Sequence, residues 1–226
     1  MAIAVSRDSE AFLRTLIYIP IIHTEADMGG LGKSVRSAAL RRLGLRGLKS
    51  KENIIDKIWM EIEQAIGGLD LPYEKVRLYQ DGLPVCGREA DIVKELAKSE
   101  SRNHRLLLSL MERGAAIMGT ESLELLLEEY RLVKDILASG DAFQSEKVEG
   151  RKKSQGQSLV KRRDQFIADC INSTLCAGET GILFLGMLHS LRHLLDKDIH
   201  VIYPVNPVFD KRVKVDEQTR RQNSHR

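Results

Sequence analysis

Two nearly unbroken apolar runs constrain the fold of this chain more than any other feature. The first covers residues 16–22 (LIYIPII) and the second covers residues 182–185 (ILFL). Short runs of this kind, rich in branched side chains, are typical of strands that are buried on both faces. Such strands occur mainly in parallel sheets that helices cover on either side, so the two runs predict an α/β protein.

The rest of the sequence alternates helical periodicity with shorter strand patterns. Further strands are predicted at residues 76–80, 115–119 and 199–203. Helices are predicted at residues 34–43, 52–66, 88–98, 103–113, 123–137, 159–175 and 190–195. This order predicts a single domain over residues 1–210, with a mostly parallel central sheet flanked by helices. Residues 139–158 lack apolar periodicity and predict a flexible polar loop, and residues 211–226 predict a disordered basic tail.

One residue of the first run conflicts with a central strand. Pro20 has no N–H group to donate to a neighbouring strand. The sequence therefore predicts that this strand lies at an edge, carries a bulge or ends early.

Composition narrows the classes of protein that remain. Hydrophobic residues make up 42% of the chain and charged residues 30%, which predicts a folded globular protein. The net charge is only +3 and aromatic residues do not alternate with the basic runs, so a nucleic-acid partner is not expected. Three cysteines without a C-x-x-C pair, and no apolar window of about 20 residues, predict a cytoplasmic protein without a membrane segment.

Two histidines follow the two apolar runs. His23 comes directly after the first run, and His189 follows the second after a short turn. The carboxyl ends of parallel strands lie at one edge of a sheet, so both imidazoles are predicted at the same rim. Two imidazoles with a carboxylate can bind a divalent metal or activate water. The carboxylate is left open among four candidates in the sequence, which are Glu25, Asp27, Asp81 and Glu121.

The second half of the chain resembles the closing segment of the TraB/Tiki group. The similar segments are R-D-x-x-I-A at residues 163–168, A-G-E at residues 177–179 and GILFLGMLH at residues 181–189. In that group an Arg-Asp pair opens a helix that leads to a strand ending in Gly-x-x-His. The first strand is similar to the group's first strand, which also ends in Gly-x-x-His, although Pro20 stands here in place of the glycine.

This resemblance implies a function and a set of site residues. In the wider group, which includes erythromycin-esterase-like and ChaN-like proteins, two histidines and a glutamate line the site. Some members are metal-dependent peptidases or esterases. By order along the chain, the matching positions are His23, His189 and Glu121, which are the expected catalytic and metal-binding residues. Asp81 and Glu25 are rivals of Glu121 for the position of the glutamate, and Glu25 is also a candidate metal ligand. Arg163 and Asp81 are candidates to bind a small-molecule or peptide substrate, and Arg163 has an exposed basic face as its alternative.

Three functions follow, and whether the chain is an enzyme at all is left open. The first is a hydrolase that cleaves an ester or amide, with a divalent metal or with water activated by the histidines. The second is a non-enzymatic protein that binds a small ligand or a protein partner at the same rim. The third is nucleotide binding at the stretch from Gly29 to Ser34. Asp27 stands there where a phosphate-binding loop requires glycine, and it would bring a carboxylate towards the phosphates.

Overall fold

A five-stranded sheet, parallel throughout, forms the centre of the molecule. The computed structural model describes residues 13–99, 101–139 and 146–205. The strands are β1 (Arg14–Ile21), β2 (Val76–Gln80), β3 (Ala116–Met118), β4 (Thr180–Gly186) and β5 (Ile199–Ile202). Their order across the sheet is β3-β2-β4-β1-β5. The predicted α/β fold with a largely parallel sheet is thereby confirmed.

Helices cover both faces of this sheet. They are α1 (Gly32–Gly67), α2 (Glu89–Ala97), α3 (Arg102–Glu112), α4 (Leu123–Ser139) and α5 (Glu146–Thr174). Two 3₁₀ helices lie at Glu25–Leu31 and Tyr73–Lys75. No helix in the described ranges combines the length and apolar character that crossing a membrane requires.

The core has two layers because successive side chains of each strand point to opposite faces. Ile17 and Ile19 of β1 pack with residues of α1, α2 and α3 on one face. Leu16 and Tyr18 pack with residues of α5 on the other face. The apolar runs were therefore a correct indication of strands buried on both sides.

Pro20 occupies a setting that only partly matches the prediction. β1 is an interior strand, paired with β4 from Thr15 to Ile21 and with β5 from Arg14 to Ile17. β5 has already ended where Pro20 lies, so this part of β1 has a neighbouring strand on one side only. The local setting resembles an edge, and the missing N–H is tolerated there.

α1 replaces two predicted helices. The predicted break at residues 44–51 is reduced to one kink at Gly44, whose φ of 69° lies in the left-handed region. Glycine adopts this conformation without the steric penalty of a side chain, so helical structure resumes immediately.

The prediction of a flexible loop at residues 139–158 is wrong for residues 146–158, which form the first part of α5. Lys, Arg, Gln and Glu dominate this stretch, and these residues favour a helix even without an apolar stripe. A helix that lies largely in solvent has no stripe for periodicity to detect. The predicted helix at residues 190–195 is also wrong, because the chain forms turns there. The tail predicted at residues 211–226 lies outside the described residues.

Candidate functional site

The candidate site residues follow the carboxyl ends of four neighbouring strands. His23 comes two residues after β1, Asp81 directly after β2, Glu121 three residues after β3 and His189 three residues after β4. All these strands run in the same direction, so the four side chains share one rim of the sheet. We call this set, together with Arg163 and Asp164 of α5, the rim cluster.

Asp81 joins the two imidazoles. Its Oδ2 lies 3.0 Å from Nε2 of His23 and 3.8 Å from Nε2 of His189. The same oxygen accepts a hydrogen bond of 2.9 Å from the backbone N–H of Gly186. A methyl group on Gly186 would lie 2.8 Å from this oxygen, and 3.6 Å and 3.7 Å from the two rings. Glycine at the end of β4 is what allows the three side chains to approach one another.

Arg163 is the buried cation of the rim cluster. It donates to Oδ1 of Asp81 at 2.7 Å, and to the two oxygens of Glu121 at 2.5 Å and 3.1 Å. A further hydrogen bond of 2.6 Å reaches Glu129 of α4. Its side chain is 4% exposed, so the alternative of an exposed basic face is wrong. With its guanidinium bound to three carboxylates, the residue holds the site together, and its role toward a substrate stays a prediction.

Asp164 orients His189. Nδ1 of His189 lies 2.5 Å from Oδ1 of Asp164, and the backbone N–H of Ser190 donates to the other carboxylate oxygen at 3.1 Å. An ionised carboxylate can only accept hydrogen bonds, so an ionised Asp164 would place a ring proton on Nδ1. Nε2 is thereby left as the acceptor of the neutral ring, and it faces Asp81 at a distance too long for a direct hydrogen bond.

His23 marks the solvent side of the cluster. Its side chain is 34% exposed, whereas that of His189 is 4% exposed. Burial opposes protonation of His23, but the hydrogen bond and the charge of Asp81 outweigh burial and raise the pKa of His23 above its ordinary value. The two imidazoles therefore differ in environment, one favouring the protonated form and the other held by its own carboxylate.

The two central carboxylates are also set apart by their surroundings. Burial alone would raise the pKa of Asp81, but the hydrogen bond from His23 and the charges of His23 and Arg163 lower it well below its ordinary value. Burial raises the pKa of Glu121, and Arg163 opposes this effect without cancelling it. Asp81 is the firmly ionised member of the pair.

The donor atoms of Asp81, Glu121 and His189 fit a divalent cation in type and spacing, since all lie within 4.8 Å of one another. Two oxygens and one imidazole nitrogen suit several transition metals. However, Arg163 already donates to both oxygens of Glu121 and to one oxygen of Asp81. A metal at this point would share its ligands with a guanidinium, so it would bind beside the existing cation rather than in its place.

The structure brings together most of the residues predicted from the sequence. His23, His189, Asp81, Glu121 and Arg163 meet in the rim cluster. Glu25 does not, because it lies in the 3₁₀ helix with an exposed side chain and forms an ion pair with Arg36 at 3.5 Å. Placing Glu25 in a metal site with the histidines was therefore wrong.

Asp164 of the rim cluster and Glu129, which contacts the cluster, were missed as site residues. Asp164 forms the pair with His189, and Glu129 completes the contacts of Arg163. The Arg-Asp pair at residues 163–164 was a signal for Asp164. Arg163 and Asp164 lie near the middle of α5, so the expectation that this pair opens a helix is wrong.

Asp27 has a separate structural role. It accepts hydrogen bonds from the backbone N–H and the hydroxyl of Thr24, both at 2.7 Å, and from the hydroxyl of Ser101. Ser101 caps α3 and also contacts Nδ1 of His104 at 2.7 Å. These contacts tie the segment that follows His23 to the start of α3.

Asp27 is expected to make stability depend on pH in acid. Burial opposes its ionisation, but the nearby His104 and the hydrogen bonds from Ser101 and Thr24 lower its pKa from 3.8 to about 2. A folded-state pKa below the unfolded value gives stability that is complete above pH 4 and is lost as the pH falls towards 2, worth roughly 2 kcal/mol. In urea titrations, D27N should lower the free energy of unfolding at neutral pH and flatten its fall in this range. The exposed D70N variant is the control, and equal pH slopes for D27N and the parent would contradict the assignment.

The stretch from Gly29 to Ser34 does not form an open phosphate-binding loop. Glu25–Leu31 is a 3₁₀ helix that leads directly into α1, with a kink at Gly29 where φ is 51°. The carboxylate of Asp27, which would have faced the phosphates, is instead turned to Thr24 and Ser101.

Comparisons of this chain with the profiles of protein families, with curated proteins and with solved structures found no match. The geometry of the rim cluster therefore carries the functional argument alone.

Proposed function

We propose that the rim cluster is the active site of a hydrolase that cleaves an ester or amide. The observation that carries this proposal is the pairing of His189 with Asp164, which leaves Nε2 of the neutral ring as a proton acceptor on the side of Asp81. A neutral imidazole held by a carboxylate is the usual general base for activating water.

The other groups supply complementary functions. His189 takes a proton from the attacking water through Nε2, and Asp164 stabilises the imidazolium that results. His23 donates to Asp81 through Nε2, and its raised pKa provides a second N–H at Nδ1 for the developing oxyanion or for the leaving group. Arg163 keeps Asp81 and Glu121 in position, so that their negative charge stabilises both imidazolium rings.

Replacing His189 should remove hydrolytic activity while the fold remains. With p-nitrophenyl acetate and a matching anilide as probes, H189N is expected to lower kcat by about 100-fold or more, because general base catalysis contributes about 10²–10⁴-fold. D164N should lower kcat by a similar order, since the ring loses its fixed tautomer. Initial rates over a range of pH are the measurement, with thermal melting to verify the fold.

H193N is the matched control, because His193 lies four residues further on and is exposed. Surface imidazoles hydrolyse activated esters slowly, so a loss that occurs equally in H193N and H189N would contradict the proposal. The absence of turnover of both probes in the parent would also contradict it and would favour a binding protein with this rim as its ligand site.

A metal-dependent version of the same hydrolysis is the second candidate. The close approach of donor atoms from Asp81, Glu121 and His189 favours it. A divalent ion bound there would lower the pKa of a coordinated water. Elemental analysis after dialysis against zinc or manganese separates the two versions. The metal-dependent version would be established by two results together. The parent and H193N would retain the metal whereas H189N would not, and chelation would remove an activity that adding the ion restores.

A further inference from the structure

A concave site lies between α1 and α4, and none of its lining residues belongs to the rim cluster. Its cavity has a volume of about 490 Å³, within the range of small-molecule sites. Lys33, Ser37 and Arg41 of α1 line it at a spacing of four residues, which places them on one face of that helix. Tyr130 and Lys134 of α4 line it from the other side with the same spacing.

The charge of this lining is entirely positive. The residues around the cavity include three cations and no carboxylate. Within the described part of the chain, neither Lys33, Arg41 nor Lys134 has an acidic group within 4.0 Å. The hydroxyls of Ser34 and Ser37 add uncharged donors. A bound polyanion would supply the counter-charge that these exposed cations lack in the described part of the chain.

The arrangement of the preceding segment leaves the cavity free of negative charge. Asp27 precedes the stretch from Gly29 to Ser34. Its carboxylate is bound to Thr24 and Ser101, and Asp27 does not line the cavity. Part of the stretch from Gly29 to Ser34 lines the cavity, and the other two cations come from Arg41 of α1 and Lys134 of α4.

The cavity shares no lining residue with the rim cluster, and the two come closest along the chain where Tyr130 follows Glu129, which Arg163 contacts. Tyr130 lies about 10 Å along α4 from the first residue of that helix, and Lys134 about 6 Å further, at 1.5 Å per residue. Glu121 of the rim cluster precedes that first residue.

We propose that this cavity binds a phosphate-bearing small molecule of nucleotide size. Lys33, Arg41 and Lys134 contact the phosphates, and the half-exposed ring of Tyr130 stacks against the base. Three cations match the charge of a di- or triphosphate, and aromatic side chains stack on bases regardless of sequence.

The test is calorimetric titration of the full chain with ATP without added magnesium, at low and at high salt. Binding is expected at low salt and should weaken as salt screens the charges. The double variant K33A/K134A should bind about tenfold more weakly or worse, since each lost contact to a phosphate removes a charge-assisted hydrogen bond. The matched control K49A/R131A removes the same charge from exposed positions of the same two helices outside the cavity, and it should bind as the parent does.

Two further probes identify the part of the ligand that is held. Pyrophosphate should bind and adenosine alone should bind more weakly than ATP. Y130A should lower the affinity for ATP several-fold and leave the affinity for pyrophosphate unchanged. The absence of binding heat with both ATP and pyrophosphate would overturn the proposal. An equal loss of ATP affinity in K33A/K134A and K49A/R131A would also overturn it. An unchanged affinity of Y130A for ATP would overturn the assignment of the base to Tyr130.

Discussion

Replacing Arg163 with methionine is expected to lower the free energy of unfolding by about 3–5 kcal/mol, because removing one partner of a buried ion pair leaves the other charges uncompensated. Three carboxylates would together lose four hydrogen bonds to the guanidinium, one at Asp81, two at Glu121 and one at Glu129. A loss of this size is a large share of the stability of a typical domain. Urea denaturation followed by circular dichroism would measure it.

Arg162 provides the matched control for this substitution. It precedes Arg163 directly, and its pair with Glu128 is about half exposed at both ends. Because exposed pairs contribute little, R162M should change stability by less than about 1 kcal/mol. Adding E121Q to R163M should recover part of the loss by neutralising one buried carboxylate. Equal urea midpoints for R163M and R162M would show that the guanidinium is not the cation that balances the cluster.

Replacing Trp59 with alanine should have a comparable effect through packing. Trp59 is fully buried in the layer formed by α1, α2 and α3, and its indole N–H donates to the backbone carbonyl of Ile22 at 3.3 Å. Removing such a side chain leaves a cavity and costs about 3–5 kcal/mol. The anchor for the end of β1 would be lost as well, and with it the support for the segment that carries His23.

The neighbouring Met60 is the control, because its side chain is 54% exposed on the same turn of α1. M60A is expected to shift stability by no more than about 0.5 kcal/mol. The urea midpoint should fall in W59A with the slope of the transition unchanged. If W59A unfolds at the same midpoint as M60A, the packing of α1 on the sheet is not as described.

The sheet was predictable because burial leaves a direct mark on the sequence. The runs at residues 16–22 and 182–185 are apolar at consecutive positions, as strands buried on both faces must be. The length of α5 was not predictable in the same way. Its first part is exposed, and an exposed helix lacks the periodic apolar residues that identify a helix in sequence.

The site was predictable to the extent that it follows from strand ends. His23, Asp81, Glu121 and His189 each come just after a strand, and parallel strands bring such residues to one rim. The contribution of α5 depends on how that helix rotates and packs on the sheet, which no local pattern records. Arg163 therefore remained ambiguous and Asp164 was not recognised as a site residue. Glu25 was misplaced because a 3₁₀ helix, rather than a loop, turns its side chain to solvent.

The position of β4 in the sheet has a consequence for synthesis of the chain. β4 lies between β1 and β2 and pairs with both, yet it is the fourth strand to leave the ribosome. Until residue 186 emerges, a nascent chain holds β1 and β2 with unpaired edges and with no strand to join them. Such intermediates are prone to aggregate. A chaperone that shields apolar strands during translation would therefore benefit this protein more than it would benefit a protein whose neighbouring strands are consecutive in sequence.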